Sequence, residues 1–267
     1  MEQPITPSLV SELRISLIQA DLAWENRERN LERFTEQMVR IGASSDLVML
    51  PETFSTGFTM QVSIHGEREE ESKALDWMVR MAARYRCHVA GSVIVGTQGG
   101  FVNRFLWVGP GGVEERYDKR HLFRMGRENE SFLPGNDRKI LTLGGFRFLP
   151  LICYDLRFPV FARNRNDYDA LLVVANWPAA RQVVWETLLR ARALENQAWV
   201  LAVNRTGRDG LGVDHAGGST VISPRGEIVA CLDEREGILQ ARIGLEEVRS
   251  FREKFPVWKD ADDFRLT

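Results

Sequence analysis

Short apolar runs alternate with amphipathic stretches along the chain, and this alternation predicts an α/β protein. Residues 13–20 and the run DLVMLPE (46–52) have the pattern of strands, and Pro51 stops the second, buried one. In ENRERNLERFTEQMVRIGA (25–43) apolar residues recur at helical spacing with charges between them, which predicts an amphipathic helix. A second helix is predicted around residues 75–82.

In the rest of the chain, turn residues again separate short apolar runs. The predicted elements are a strand over 87–96, a hairpin over 103–119, a hairpin over 140–155, a strand over 169–178, a helix over 185–197, a strand over 198–205 and a hairpin over 217–233. The two halves therefore repeat one order: strand, helix, strand, hairpin.

Two αβ halves that each carry a hairpin do not match a plain doubly wound sheet. They indicate two sheets packed face to face with helices outside, a four-layer α/β/β/α sandwich built from two pseudo-repeated halves. No low-complexity linker interrupts the 267 residues, so we expect a single domain with its core over about 13–233. The tail, 234–267, has aromatic residues among charges and is expected to cover the core or to dock on a second subunit.

Charge and cysteine content narrow the classes of partner and compartment. Lys and Arg number 35 against 37 Asp and Glu, a net charge of −2 that gives no electrostatic reason to expect nucleic acid or an acidic membrane as partner. No apolar run approaches the roughly 20 residues of a membrane span, and the N-terminus lacks the pattern of a signal peptide. The three cysteines, Cys87, Cys153 and Cys231, are expected to be reduced thiols in a cytoplasmic protein, the first and last of them buried in strands.

Three predicted strand ends stop in reactive residues. Glu52 follows Pro51, Lys119 ends the hairpin strand, and Cys153 ends the run LIC. Ligands of layered α/β folds bind beyond the carboxyl ends of strands, so these side chains could converge. A carboxylate can take the thiol proton and later protonate a leaving amine, and an ammonium can stabilise the oxyanion. The set suits covalent hydrolysis of an amide-like C–N bond and not hydride or phosphoryl transfer.

Each of these residues also has a structural interpretation. A cysteine after an apolar run is most often a small buried hydrophobe. Glu52 could be a surface charge beside a helix, and Lys119 could belong to a solvated face. No His, Cys or carboxylate cluster has the spacing of a zinc site, so no metal is predicted.

Four segments resemble the signature segments of the nitrilase superfamily of carbon–nitrogen hydrolases, and most of all its omega-amidase branch. They are LPETFSTGF (50–58), YDKRHLFRMGREN (117–129), LICYDLRFP (151–159) and the stretch from NWP to NRTG (176–207). The resemblance runs from about residue 13 to about residue 233, in the expected order. It implies the α/β/β/α sandwich, no metal or organic cofactor, and pairing of two sandwiches into an eight-layer homodimer or a higher homo-oligomer.

The resemblance also implies a role for each matching residue. Cys153 matches the nucleophile that forms a thioester, Glu52 the general base, and Lys119 the lysine that stabilises the tetrahedral oxyanion. Glu128 matches a second glutamate that positions the lysine and the substrate, and the backbone N–H of Tyr154 would be the second oxyanion donor.

The substrate pocket is less well defined by the sequence. Phe58, Phe123 and Trp177 lie in the matching segments and are candidates for its wall, with core packing as the alternative. His215 stands where omega-amidase-like relatives usually carry a tyrosine, which leaves the substrate detail open.

Several other polar residues receive structural interpretations. Asp155 and Arg157 are expected to join in an ion pair that shapes the turn after Cys153, and His121 to make a structural hydrogen bond. Arg181, Arg190 and Arg192 flank a predicted helix, and one of them could bind a substrate carboxylate, with a solvated or ion-paired role as the default expectation for each.

The leading functional hypothesis is a cysteine-dependent amidase that hydrolyses the terminal amide of a small dicarboxylic acid monoamide, such as 2-oxoglutaramate or succinamate. A second hypothesis keeps the three residues and changes the substrate to a carbamoyl amine, a nitrile or another linear amide. A third is a non-catalytic binding module or a thiol sensor that uses Cys153.

Overall fold

The structure of the protein, a computed structural model, describes residues 12–266. The first half contains β1 (Glu12–Gln19), α1 (Arg27–Ile41), β2 (Leu47–Met49), α2 (Val62–His65), β3 (Glu67–Arg68), α3 (Lys73–Tyr85), β4 (His88–Thr97), β5 (Gly100–Gly109), β6 (Gly112–Asp118) and α4 (Glu128–Ser131). The second half contains β7 (Leu141–Leu143), β8 (Phe146–Ile152), α5 (Pro159–Ala162), β9 (Ala170–Ala175), α6 (Gln182–Asn196), β10 (Trp199–Asn204), β11 (Thr206–Arg208), β12 (Asp214–Ala216), β13 (Thr220–Ile222), β14 (Ile228–Cys231), β15 (Gly237–Gly244) and α7 (Leu245–Lys254).

The strands form two main sheets. The first has the order β15-β1-β2-β4-β5-β6, with β3 paired to β4, and the second has the order β14-β13-β10-β9-β8-β7. The central strands of both sheets are parallel, since β2 runs parallel to β1 and β4, and β9 runs parallel to β8 and β10. β11 and β12 form a separate small hairpin.

Alternating side chains of the first sheet reach two different cores. Leu47 and Met49 pack in the core that the two sheets share, whereas Val48 and Leu50 pack on the side of α1 and α3. Helix α6 packs against β10 and β13 of the second sheet and buries Trp185. The layers are therefore helices, sheet, sheet and helix, which confirms the predicted α/β/β/α sandwich.

The helices of the outer layers begin where the sequence supplies a cap. Asn26 Oδ1 accepts the N–H of Arg29 at the start of α1 (3.1 Å), and Ser72 Oγ accepts that of Leu75 at the start of α3 (3.1 Å). α1 ends at Gly42, whose φ of 59° suits a residue without a side chain.

Two features of the chain differ from the sequence pattern. β15 lies in the segment expected to be a tail, and it pairs with the whole of β1 from Glu12↔Gly244 to Gln19↔Gly237. Cys231 is exposed on the edge strand β14, so the expectation that it is buried is wrong, whereas Cys87 is buried as predicted. An edge strand pairs with a neighbour on one side only. The alternation of apolar and polar residues along a hairpin strand does not show which end of it the core covers.

Neither a membrane-crossing helix nor a metal-binding cluster is found over residues 12–266. Every helix there is too short or too polar to cross a membrane. The His, Cys, Asp and Glu side chains of the same residues form no group of three that could hold a metal ion.

Candidate active site

The nucleophile candidate stands on a sharp turn. The buried strand β8 ends at Ile152, and Cys153 opens a 3₁₀ turn over residues 153–157. Its φ of 46° lies in the left-handed region, which is uncommon for a residue with a side chain and is a form of backbone strain found at functional sites. The turn takes Cys153 out of the strand pleat and leaves it partly exposed.

The carboxylate of Asp155 holds this turn and ties it to the neighbouring sheet. Oδ2 accepts the N–H of Ile152 (2.9 Å) and the hydroxyl of Tyr117 (2.8 Å), and Oδ1 accepts the N–H and Nδ1 of His121 (3.0 and 2.7 Å). Tyr117 and His121 flank Lys119 on either side in the chain. Asp155 therefore fixes the turn of the cysteine relative to the segment of the lysine, and the hydrogen bond predicted for His121 is confirmed.

The ion pair expected between Asp155 and Arg157 is wrong. His121 Nδ1 lies 2.7 Å from Asp155 Oδ1 and takes the place expected for Arg157, whose guanidinium lies over the ring of Trp177 instead, 5.2 Å from its centroid. Two residues apart in a tight turn, the two side chains leave in different directions, one into the sheet interface and the other towards the ring of Trp177.

We expect Asp155→Asn to lower the free energy of unfolding by about 2–4 kcal/mol, because one acceptor oxygen becomes an NH₂ that faces buried donors. Urea denaturation of the variant against the wild type measures this change. Glu28→Gln is the control: Glu28 pairs with Lys73 with both side chains about two-thirds exposed, and its loss should cost less than about 1 kcal/mol. Equal losses in the two variants would contradict the role of Asp155.

Glu52 lies just beyond β2 and has a hydrogen-bond donor on each side. Its Oε1 accepts Lys119 Nζ (2.8 Å) and Asn103 Nδ2 (2.9 Å). Its Oε2 accepts the backbone N–H of Asn176 (2.9 Å) and Asn176 Nδ2 (3.3 Å). Both Glu52 and Lys119 are 1% exposed, so the carboxylate is held in one orientation.

The ammonium of Lys119 stands between two buried carboxylates. Besides Glu52, it donates to Glu128 Oε1 (2.9 Å), whose Oε2 accepts the N–H of Phe123 (2.5 Å). Burial alone would lower the pKa of Lys119, but the charges of Glu128 and Glu52 outweigh it and raise the pKa well above its ordinary value. Burial and the charge of Glu52 raise the pKa of Glu128, against the opposing effect of Lys119. Lys119 is therefore a permanent cation, and its third N–H is left for another acceptor.

Cys153 is a thiol at rest. Burial raises its pKa well above the ordinary value, the charge of Glu52 raises it further, and Lys119 and the N–H of Asn176 act in the opposite direction. The sulfur thus carries a proton that must leave when it attacks, and Glu52 is a carboxylate close enough to affect it.

One cavity of about 320 Å³ joins the residues predicted separately from the sequence. Glu52, Lys119 and Cys153 all line it. The predicted wall residues Phe58, Phe123 and Trp177 and the supporting residue Tyr154 line it as well. Glu128 lies behind Lys119, fully buried and outside the lining.

Sequence reasoning missed the two asparagines that hold Glu52. Asn176 follows β9, at the same sheet edge as Cys153, because β8 and β9 are parallel and in register from Phe148↔Ala170 to Ile152↔Val174. The rule on strand ends could have found it. Asn103 lies in the middle of β5 and has no such signal.

The amino-acid sequence matches a known protein family. A family model described as carbon-nitrogen hydrolase matches residues 14–253. The chain belongs to the carbon–nitrogen hydrolase family. The resemblance to the nitrilase superfamily and its omega-amidase branch is thereby confirmed.

Named relatives resemble this carbon–nitrogen hydrolase over nearly its whole length. Omega-amidase YafV of Escherichia coli K12 is 47% identical over 95% of this chain and 98% of its own. The 2-oxoglutaramate amidase of Bacillus subtilis is 32% identical over 92% of this chain and 96% of its own. The crystal structure of XC1258 from Xanthomonas campestris, a CN-hydrolase superfamily protein with an arsenic adduct in its active site, superposes with a TM-score of 0.94 at 39% identity, covering 97% and 100% of the two chains.

Two arginines of the carbon–nitrogen hydrolase reach the same cavity. Arg157 lies over Trp177, and Arg181 lies over the ring of Phe123, 5.4 Å from its centroid. Over residues 12–266 neither guanidinium forms a salt bridge. Two cations without a carboxylate partner thus face the space in front of Cys153, and an anionic ligand would complete them.

His215 lines the cavity, although its side chain is almost fully buried. Its Nδ1–H donates to the carbonyl of Trp177 (3.2 Å), and Nε2 lies 3.3 Å from Asp209 Oδ2. Burial and the nearby Arg205 lower its pKa, against Asp209. His215 therefore supports the wall at Trp177 and anchors the loop between β11 and β12.

Proposed function

We propose that this carbon–nitrogen hydrolase converts the terminal amide of a small dicarboxylic acid monoamide, of the 2-oxoglutaramate or succinamate type, into the acid and ammonia. The observation that carries the proposal is that one cavity holds both the Glu52–Lys119–Cys153 cluster and two arginines, Arg157 and Arg181, that have no carboxylate partner within residues 12–266. Similarity to proteins named omega-amidase and 2-oxoglutaramate amidase supports the same substrate class.

In the first half of the reaction, the thiol of Cys153 gives its proton to Glu52 as sulfur attacks the amide carbon. The oxyanion that forms accepts the third N–H of Lys119 and the N–H of Tyr154. Tyr154 is the second residue of the 3₁₀ turn, and amides in a first helical turn have no partner within it. Glu52 then passes the proton to nitrogen, the C–N bond breaks, ammonia leaves, and a thioester remains on Cys153.

In the second half, water enters the place that ammonia has left. Glu52, again a carboxylate, takes a proton from the water as its oxygen attacks the thioester carbon. The same donors stabilise the second oxyanion. Collapse releases the dicarboxylate, and the proton returns to the sulfur, which restores the resting thiol.

The substrate class is inferred from the charged side chains that line the same cavity. A chain of two or three carbons separates the amide from a carboxylate in succinamate and 2-oxoglutaramate. Arg157 and Arg181 are available to bind that carboxylate, with Trp177 and Phe123 holding their guanidinium planes. A neutral aliphatic amide would leave both arginines unpaired.

The test is ammonia release from 2-oxoglutaramate, succinamate, glutamine, a carbamoyl amine and a simple nitrile. Release from the first two only is the expected result. Release from another compound would keep the mechanism and replace the substrate class. No release from any of them would favour a binding module or thiol sensor and would refute the proposal.

We expect Arg157→Leu to raise KM for succinamate about 10- to 100-fold, because a charged hydrogen bond to the carboxylate is lost. The KM for butyramide, which has no carboxylate, should change by less than about twofold. Arg80→Leu, on the exposed face of α3, is the control and should change neither value. A parallel rise for both amides would speak against carboxylate binding.

We also propose that two copies pair through the face formed by α6 and the β13–β14 hairpin, in the cytoplasm. These elements expose the apolar side chains of Val183 (76%), Leu194 (51%), Ile228 (51%) and Val229 (49%), and Leu194, Ile228 and Cys231 line one surface cavity there. The three cysteines are free, which suits a reducing compartment.

Val183→Asp is expected to convert a dimer into a monomer, because it places a charge in the apolar contact. Sedimentation equilibrium measures the mass. Ile64→Asp, equally exposed (68%) on α2, is the control that should leave the mass unchanged. A monomeric wild type, or a variant of unchanged mass, would refute this interface.

A further inference from the structure

The side chain of Asn176 is satisfied on one edge only. Its Nδ2 donates to Glu52 O (2.8 Å), Glu52 Oε2 (3.3 Å) and Thr53 Oγ1 (3.2 Å). Because two of these oxygens can only accept, the nitrogen belongs on that edge and Oδ1 on the other. Oδ1 is buried and has no hydrogen-bond partner in the structure. A buried acceptor without a donor is costly, which indicates that a ligand supplies one.

Asn176 also touches both reacting groups. Its backbone N–H donates to Glu52 Oε2 at 2.9 Å, and the same N–H acts on the sulfur of Cys153. The residue is 6% exposed and lines the cavity. An amide attacked by Cys153 while Glu52 faces its nitrogen must therefore lie against Asn176.

A primary amide has two N–H groups, and Glu52 can receive only one of them in line with its lone pair. We propose that Asn176 Oδ1 accepts the other, so that Asn176 is a catalytic residue that orients the leaving nitrogen and selects primary amides. This inference rests on the proposed amidase function. An ester has no N–H that could donate to Asn176 Oδ1. An N-methyl amide places its methyl group either against Oδ1 or against Glu52.

Asn103 provides a matched control within the chain. It too donates Nδ2 to Glu52, at 2.9 Å on Oε1, and its Oδ1 is also buried without a partner. It is fully buried and does not line the cavity. Alanine at either position removes one side-chain donor from Glu52, and only Asn176→Ala removes an acceptor from the cavity.

The experiment measures kcat/KM for succinamate and for the monomethyl ester of succinic acid in the wild type and both variants. Loss of the orientation of Glu52 should lower the ratio of amide to ester rate similarly in the two variants. We expect the ratio to fall at least about tenfold further in Asn176→Ala, the effect of one hydrogen bond to the leaving nitrogen. Equal ratios in the two variants would overturn the inference.

The wild type alone gives a second test, which does not depend on the folding of a variant. Succinamate should be hydrolysed at least about 100-fold faster than its N-methyl amide, because the methyl group leaves Oδ1 or Glu52 unpaired. A difference below about tenfold would overturn the role of Asn176 while leaving the amidase function intact. If the wild type hydrolysed no amide at all, the proposed function would fail and this inference with it.

Discussion

Cys153→Ala is expected to abolish ammonia release, with a fall in kcat of at least about 10⁴-fold, because Cys153 is the only cysteine, serine or threonine among the described residues that line the cavity and the thioester cannot form without it. The cavity keeps its shape, since alanine only removes the sulfur, so the substrate should still bind. Ammonia release and calorimetric binding of succinamate measure the two effects. Mass spectrometry of the wild type mixed with substrate should show an acyl adduct that the variant lacks.

The control for this variant is Cys231→Ser. That thiol is exposed on β14 and does not line the cavity, so turnover should remain at the wild-type level. If Cys153→Ala retained ammonia release, or if the acyl adduct appeared on Cys231, the assignment of the nucleophile would be wrong.

Glu52→Gln is expected to lower kcat for the amide by about 10³-fold or more, because the variant has no group that can carry the proton from sulfur to nitrogen. The loss should be smaller for a p-nitrophenyl ester, since its leaving group departs without a proton. Steady-state rates for the two substrates test this difference, and equal losses would contradict a role in proton transfer.

The same variant should make the thiol more reactive towards iodoacetamide near neutral pH. The negative charge of Glu52 raises the pKa of Cys153, so its removal lowers that pKa and increases the thiolate fraction. A circular dichroism spectrum unchanged from that of the wild type separates this effect from unfolding, which would also expose the thiol and speed its alkylation. Unchanged or slower alkylation would show that Glu52 does not act on the sulfur.

Glu128→Gln is the matched control for Glu52→Gln. It also removes a carboxylate from Lys119 but leaves the proton carrier in place. We expect it to keep at least about tenfold more amidase activity than Glu52→Gln. The reverse order would exchange the roles of the two glutamates.

The effects expected for the Glu52 and Glu128 variants depend on one buried cation, Lys119, that contacts both glutamates. Lys119 Nζ contacts two buried carboxyl groups, Glu52 at 2.8 Å and Glu128 at 2.9 Å, and burying these groups without a cation would be costly. The hydrogen bond from Lys119 holds Glu52 in place near the sulfur, whose raised pKa keeps the thiol protonated. The proton can then move between Cys153, Glu52 and the leaving nitrogen without a change in the charge of Lys119.

Periodicity and motifs in the sequence were sufficient to predict the α/β/β/α sandwich, the repeated order of its two halves and the residues around the sulfur of Cys153. Strands such as β2 and β9 are uniformly apolar because both faces are covered, and this pattern is visible locally. Glu52, Lys119 and Cys153 follow strand ends, so a rule on sheet edges places them together. Phe58, Phe123 and Trp177 came from segments similar to those of a known family, and all three line the cavity.

Only the tertiary structure decided the contacts between segments distant in the chain. β15 pairs with β1 across more than 200 residues, and nothing in its own pattern specifies that partner. Asp155 contacts His121 and not Arg157, which lines the cavity instead. Asn176 and Asn103 both donate hydrogen bonds to Glu52. The physical reason is the same in each case: a polar side chain finds its partner through the packing of two sheets, and local spacing carries no record of which residues that packing brings within hydrogen-bond distance.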